Sequence, residues 1–435
     1  MIKILQVRNI DSFVESRRQK TSEKDKKTVQ SILNDVRKNG DSAVKKYERK
    51  FNGRKTSQLR VSAKEIKEAK SKISRKEYRA IGEVGYWLDL FTERDVRNMV
   101  QEAVKKSGRD PVYLLEEFGV GIERSLVPIP SVGCYVPGGQ ARYPSSVAMS
   151  VTPAKIAGVK RIVVVSPPGR DGKIDPLTIA AAKRCGATEI YKVGGAQAIG
   201  ALAYGTKSIP KVDKIVGPGG KFVSIAKSLV SDQTSIDMVA GPTELGIIAD
   251  ASSDPELVAL DLISQAEHSK DTMCFVITQS KIMAKQIQKS IEKLIPGTER
   301  SSIIKESISK NGFIAMCKSQ NEIVELANKI APEHMELMVK NARSLSKKIT
   351  GAGLLLVGKN TPSAASDYLL GTNHILPTNG FGRTRGGLGV LDFLKLQTVI
   401  ESKKSGLRTI LKSLKALTDA EDLPNHYKAV KRRLE

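Results

Sequence analysis

In the first fifty residues the apolar positions Val29, Ile32, Leu33 and Val36 return at helical spacing, and Gly40 stands where that helix would stop. Lysine-rich helical sequence continues to about Lys106, so the N-terminal quarter reads as a helical layer. From about Val127 the texture changes. Residues 161–166 form a continuous β-branched run ended by Pro167-Pro168-Gly169, and 176–185 form a helix ended by Gly186. Residues 189–193 and 214–216 are the next strands, running into Gly194-Gly195 and Gly217-Pro218-Gly219-Gly220. Short β-branched runs alternating with helices predict parallel strands joined by crossovers. A second series follows: a strand over 245–249, a helix capped by Ser253-Asp254-Pro255 and running to about residue 268, and strands over 273–278 and 354–357. After Gly389 the pattern turns helical again, with Leu407, Ile410, Leu411 and Leu414 on one stripe. The expected class is α/β, with two such units between helical ends.

Length agrees with this division, since 435 residues exceed what a single core usually supports. A hydrophobic share of 40% beside 27% charged residues is that of a folded protein, not a disordered one. No apolar run reaches the ~18 residues that a membrane helix needs, and residues 1–20 lack the apolar core of a secretory signal. Cys134, Cys185, Cys274 and Cys317 are far apart without a C-x-x-C pair, which reads as reduced, buried thiols and a cytoplasmic location. The formal charge of +25 raises nucleic acid as a partner. The lysines, however, are spread through amphipathic helices such as 64–79 and are not interleaved with stacking rings, the chain having a single Trp. A solvated basic surface that attracts small anions is the expectation, with no specific nucleic-acid binding.

Histidine is sparse, and each of the four lies in a short polar cluster: Gln265-Ala266-Glu267-His268, Pro332-Glu333-His334, Thr372-Asn373-His374 and Pro424-Asn425-His426. As a set they point to ligation or proton transfer. Gln265 and His268, three apart on a predicted helix, leave the same face and can converge on one borderline divalent ion such as zinc, although a surface Gln and His pair has the same spacing. Glu333 and His334 follow Pro332 and are expected at the start of a helix. A carboxylate beside an imidazole gives two groups of different basicity for sequential proton transfers, and a capping Glu beside a surface His is the plainer alternative. The glycine-rich segments Val136-Pro137-Gly138-Gly139, Val193-Gly194-Gly195-Ala196-Gln197 and Gly217-Pro218-Gly219-Gly220 fall at strand ends, where open α/β sheets bind ligands. None follows G-x-G-x-x-G, so the usual dinucleotide fingerprint is absent.

Read in order, 135–139, 143–147, 193–199, Asp237-Met238-Val239-Ala240-Gly241-Pro242-Thr243-Glu244, 264–268, 331–334 and Gly371-Thr372-Asn373-His374 closely resemble the histidinol dehydrogenase family, over most of the chain from about residue 27. The resemblance implies two incomplete Rossmann-like, aldehyde-dehydrogenase-like domains with small helical terminal segments. It places an N-terminal segment at 1–27, a metal and substrate domain at 28–134 plus 243–388, an NAD domain at 135–242, and a tail at 389–435 that crosses to the partner in a homodimer. The implied reaction is the zinc- and NAD-dependent oxidation of L-histidinol through the aldehyde to L-histidine, the last step of histidine biosynthesis. A paralogous zinc and NAD alcohol dehydrogenase acting on another amino alcohol or polyol is the alternative.

On the matching positions, Gln265, His268 and Asp367 would hold one zinc per subunit, with His426 arriving from the other subunit. Thr243, His334 and the tail's Glu421 would meet the substrate beside the zinc ligands, with His374 close by. Tyr135, Gln197 and Gly220 would match the NAD contacts. His334 would take the alcohol proton and Glu333 would activate water. Three positions depart from the family pattern: Thr243 stands for Ser, Gly220 for Asn, and Arg383-Thr384-Arg385-Gly386-Gly387 for a serine-containing stretch.

Overall fold

The computed structural model describes residues 1–18, 22–53, 58–106, 116–138 and 142–435, so Gly139 of the first glycine-rich segment lies outside the described residues. Its strands are β1 (Lys3–Gln6), β2 (Val120–Pro128), β3 (Ser131–Tyr135), β4 (Arg161–Ser166), β5 (Glu189–Lys192), β6 (Lys214–Val216), β7 (Ser235–Ile236), β8 (Glu244–Ala249), β9 (Met273–Thr278), β10 (Phe313–Met316), β11 (His334–Met338), β12 (Leu354–Val357) and β13 (Leu394–Ser402). Residues 1–92 and 130–392 form one compact unit, and residues 93–129 and 393–435 form another.

The larger unit holds two parallel sheets, one of five strands in the order β5-β4-β3-β6-β7 and one of six in the order β1-β10-β9-β8-β11-β12. Both are wound alike. Three successive strands step outward, and the chain then crosses back to lay the next two on the other side. That reversal opens a crevice between β3 and β6 in one sheet and between β8 and β11 in the other. The sequence dictates this through strands that need cover on both faces: every residue of β4 after Arg161, and all of β8, is buried. The crossover helices start on designed caps. Asp175 accepts from Leu177 N ahead of Pro176, and Asp254 from Glu256 N and Leu257 N ahead of Pro255.

The apolar stripe Val29, Ile32, Leu33 and Val36 buries against Ile199, Leu202 and Ile225 of the five-stranded side, so this part of the N-terminal layer packs with the 135–242 region. Beside β6, a buried Lys227–Asp237 ion pair pins the glycine turn, with Lys227 Nζ donating to Gly217 O at 2.9 Å and Gly217 N donating to Asp237 Oδ2 at 2.7 Å. Gly217 has φ of +107°, and a Cβ there would run into the carbonyl oxygen of Tyr135.

Two segments depart from the sequence-based reading. Glu333 and His334 do not start a helix. Ala331 takes a left-handed φ of 51° after helix Gln320–Ile330, and Pro332 then leads into β11, which pairs with β8 and β12 on its two sides. Parallel pairing on both edges outweighs the local Pro-Glu start signal. The region after Gly389 is not wholly helical either. β13, whose Leu, Thr, Val and Ile residues suit a strand, runs antiparallel to β2 in the smaller unit before helices Lys404–Ala420 and Pro424–Arg432.

Candidate active site

Five of the predicted site residues converge at the amino ends of β8 and β11, whereas the glycine-rich turns lie at the carboxyl ends of β3, β5 and β6 in the other sheet. Thr243 immediately precedes β8, and its hydroxyl donates a short hydrogen bond to Glu333 Oε2. The same hydroxyl accepts from Gln265 Nε2 at 2.7 Å, so a hydroxyl at this position, of Thr or Ser alike, bridges the two groups. Glu333 Oε2 also accepts from Glu244 N at 2.9 Å. His334 Nε2 lies 3.1 Å from Asp367 Oδ1, while its Nδ1 is buried without a partner, 3.9 Å from Glu333 Oε2. His334 is 1% exposed and Glu333 7%, so the chemistry of the pair is set by protein, not bulk water.

His268 sits just past helix Pro255–Ala266, one residue beyond its cap at Glu267, rather than on the helix as the spacing suggested. Its backbone N still donates to Gln265 O at 3.2 Å, which keeps the two residues together at the helix end. Carbonyls at a helix C-terminus carry partial negative charge, which favours a cation there. His268 is exposed at the surface of the site, and its imidazole is held below its ordinary value by the surrounding protein against the attraction of Asp367. Among the described residues, no group of three or more His, Cys, Asp or Glu forms a metal cluster. Gln265, predicted to bind beside Asp367, contributes a carboxamide rather than an acid or imidazole and is held by Thr243. With Gln265 Nε2 committed to Thr243, the carboxamide oxygen is the end left for an ion. Oxygen, nitrogen and carboxylate donors of this kind suit zinc.

Burial pushes the Glu333 carboxyl above its ordinary range, against the pull of His334 and the hydrogen bonds from Thr243 and Glu244. Burial opposes charge on His334, but the bond to Asp367 and the neighbouring Glu333 prevail and push the imidazole up to about 9. Asp367 pays burial as well, yet its bond from His334 holds it below the usual carboxylate range.

Two groups to which the sequence reading gave no role, Ser146 and Glu244, join this set beside His374, which that reading placed close by, and its neighbour Asn373. His374 Nδ1 contacts Asp367 O at 2.8 Å, and its Nε2 contacts Ser146 Oγ at 3.2 Å. Asn373 Nδ2 donates to Met149 O at 2.6 Å, so residues 373–374 grip helix Pro144–Ala157. Glu244 accepts from Asn379 N at 2.9 Å and from Glu333 N at 3.3 Å. Ser146 and Glu244 both lie inside segments that carried the resemblance, which was the only signal for them.

Burial drives the Glu244 carboxyl up to about 8 from an ordinary 4.5. The folded state therefore favours its protonated form, and the stability linked to it is fully present below pH 4.5 and lost as pH rises through about 8. Unfolding free energy from urea titrations should fall across that window, and Glu244→Gln should flatten the slope. An unchanged slope would reassign the fall to other groups.

The predicted cofactor residues lie on the five-stranded side. Tyr135 and Gln197 are buried, Tyr135 OH accepting from Gly195 N at 3.1 Å and Gln197 Nε2 donating to Glu48 Oε1 at 2.8 Å. Both thus shape the Gly194-Gly195 turn from within, while Gln197 Oε1 is left buried and unpartnered. Gly220 begins helix Lys221–Val230 with open space around the position a Cβ would take. A cavity of about 280 Å³ at the carboxyl end of β4 is lined by Gly138, Ser166, Pro167 and Thr178. In the 383–387 stretch, Arg385 donates to Asp237 O and, at 2.8 Å, to Asp392 Oδ1, so this departure is a loop tie. Glu421 and His426 belong to the smaller unit, where both are exposed.

Residues 15–434 match the family model for histidinol dehydrogenase. The chain belongs to the histidinol dehydrogenase family. It is 44% identical over 408 residues to the histidinol dehydrogenase of Methanococcus maripaludis, covering 94% of this chain and 93% of that protein. It is 41% identical over 416 residues to that of Bacillus cereus, covering 94% and 92%. The crystal structure of histidinol dehydrogenase from Elizabethkingia anophelis superposes with a TM-score of 0.89 at 32% identity, over 100% of this chain and 98% of that one. Membership in the histidinol dehydrogenase family makes the chain an oxidoreductase enzyme, and the paired buried acid and imidazole are groups such an enzyme can use.

Proposed function

We propose that this chain oxidises L-histidinol through L-histidinaldehyde to L-histidine, using zinc and NAD. The observation that carries the reading is the buried Glu333–His334 couple, set beside Gln265, His268 and Asp367 at one end of one sheet. Gln265, His268 and Asp367, with His426 of a second copy, would hold the zinc, which supplies a fixed anchor for the substrate's imidazole and amine. NAD, taken up on the 135–242 side, supplies the hydride acceptor for each of two oxidations, and the β3–β6 crevice with its glycine turn suits a dinucleotide.

The residues of the chain then have separable tasks. His334 takes the alcohol proton at Nδ1, the nitrogen not committed to Asp367, in molecules whose imidazole is neutral; with the imidazole pushed up to about 9, that fraction grows as pH rises toward 9. Glu333 is held by Thr243 and Glu244 N on Oε2, which leaves Oε1 to draw a proton from the water that attacks the aldehyde. Burial raises its proton affinity, which makes its carboxylate the stronger base for that water. Burial of both groups keeps the aldehyde from bulk water. The 243–388 stretch serves metal and substrate in this reading, while Val29, Ile32, Leu33 and Val36 pack with the 135–242 region.

A homodimer with shared sites is part of the proposal. Leu396 and Ile400, on one face of β13, are 63% and 65% exposed, an apolar face that a second copy would cover. No helix among the described residues is long and apolar enough to cross a membrane, and four free, buried cysteines suit a cytoplasmic protein. The deciding experiment is histidinol-dependent NADH formation by chelator-treated enzyme with and without added zinc. About two NADH per histidinol, restored by zinc, is the expected result; zinc-loaded enzyme with no turnover overturns the reading.

A further inference from the structure

Behind the site, two further acids meet that no motif marked. Glu336 stands two positions after His334 on β11, so the two side chains leave the same face of the strand. Glu336 is 1% exposed, and its Oε1 accepts from Ser363 N at 2.7 Å. Ser363 opens the short turn Ser363–Ser366 that runs directly into Asp367. The other oxygen, Oε2, is buried without a well-formed hydrogen bond, and so is Ser363 Oγ. Glu336 also interacts with the side chain of Asp261, one helical turn before Gln265 on helix Pro255–Ala266. That helix packs against the turn Ser363–Ser366.

Two neighbouring carboxyls, Glu336 buried and Asp261 half-buried, resist both carrying charge, because burial and mutual repulsion oppose the second ionisation. Burial raises the proton affinity of both, and the charge of Asp261 raises Glu336 further. One proton held between them turns repulsion into attraction. We propose that Glu336 and Asp261 share a single proton and act as a positioning strut, tying the helix that carries Gln265 to the turn that carries Asp367. The strut touches neither substrate nor ion. It fixes the separation of two groups that must meet on one ion, and in this it rests on the reading of Gln265 and Asp367 as ligands.

The test compares a neutral mimic with an apolar replacement in the full-length enzyme. Glu336→Gln keeps a neutral hydrogen-bonding group, and zinc affinity measured by chelator competition should stay within about twofold of the parent. Glu336→Leu removes the acceptor for Ser363 N, and zinc affinity should fall by about 10–100-fold at an unchanged far-ultraviolet dichroism spectrum. Asp261→Ala, at a less buried position, should shift affinity in the same direction and serves if Glu336→Leu does not fold.

A folded Glu336→Leu or Asp261→Ala variant with parental zinc affinity overturns the strut. A Glu336→Gln variant as weak as Glu336→Leu overturns the shared proton. Zinc binding by the parent tests the ligand reading separately. If the parent holds none, that reading fails, and the strut is judged by whether thermal unfolding shifts in Glu336→Leu and is spared in Glu336→Gln.

Discussion

His334→Asn lowers histidinol turnover by about 10²–10⁴-fold, the usual contribution of a positioned acid or base, while zinc content stays at the parental level. The expectation follows from how the imidazole is held. One nitrogen is engaged by Asp367 at 3.1 Å, and the other is buried, unpartnered and close to Glu333. Such an arrangement orients a base and leaves its working end open. Asparagine retains polarity but offers no lone pair of comparable basicity, so the loss should appear in kcat more than in KM. Elemental analysis beside steady-state kinetics separates the two roles: a variant that loses zinc along with turnover would show that His334 belongs with the ligands. Its position in the middle of a parallel sheet, paired with Leu245 and Leu354, argues for a folded variant.

The strands with continuous β-branched runs were legible to the residue. β4 and β9 and helix Pro176–Cys185 stand where the pattern set them, because burial on both faces of a parallel sheet demands an apolar run and because Pro and Gly punctuate the helix. β11 was not legible. His-Met-Glu-Leu-Met alternates polar and apolar residues, as a half-exposed strand or a helix start would, and its polar positions are buried because they serve the site. β13 was missed for a related reason, since its large exposed apolar residues give no two-sided contrast to read.

At the site, spacing alone brought Gln265 and His268 together, and adjacency paired Glu333 with His334. Asp367 lies in a short turn without periodicity and entered only through the resemblance. Ser146, Glu244, Glu336 and Asp261 act through contacts between residues far apart in sequence, and no local pattern encodes such contacts. The amino-end location of the site was equally invisible, since it arises from the way two crossovers return to β8 and β11.

Asp367→Ala should abolish both metal retention and turnover, with zinc affinity reduced by more than about 100-fold, beyond the range typical of groups that only support a ligand. The carboxylate has two duties that a methyl group cannot share. In the proposed zinc site it would be the anionic member of a donor set otherwise made of a carboxamide and imidazoles, and it fixes His334 through Nε2. The second duty has its own signature in the zinc-free protein. There His334 titrates at about 9 instead of 6.5, so the stability it contributes is full below pH 6.5 and fades as pH rises through about 9. Without Asp367, burial acts on the imidazole with less opposition, and its titration, followed by nuclear magnetic resonance of the ring protons, should move downward. A variant that keeps parental zinc occupancy removes Asp367 from the ligand set. One that loses zinc while His334 still titrates near 9 would instead show that Glu333, the neighbour on the other side of the ring, carries the charge balance of the pair by itself.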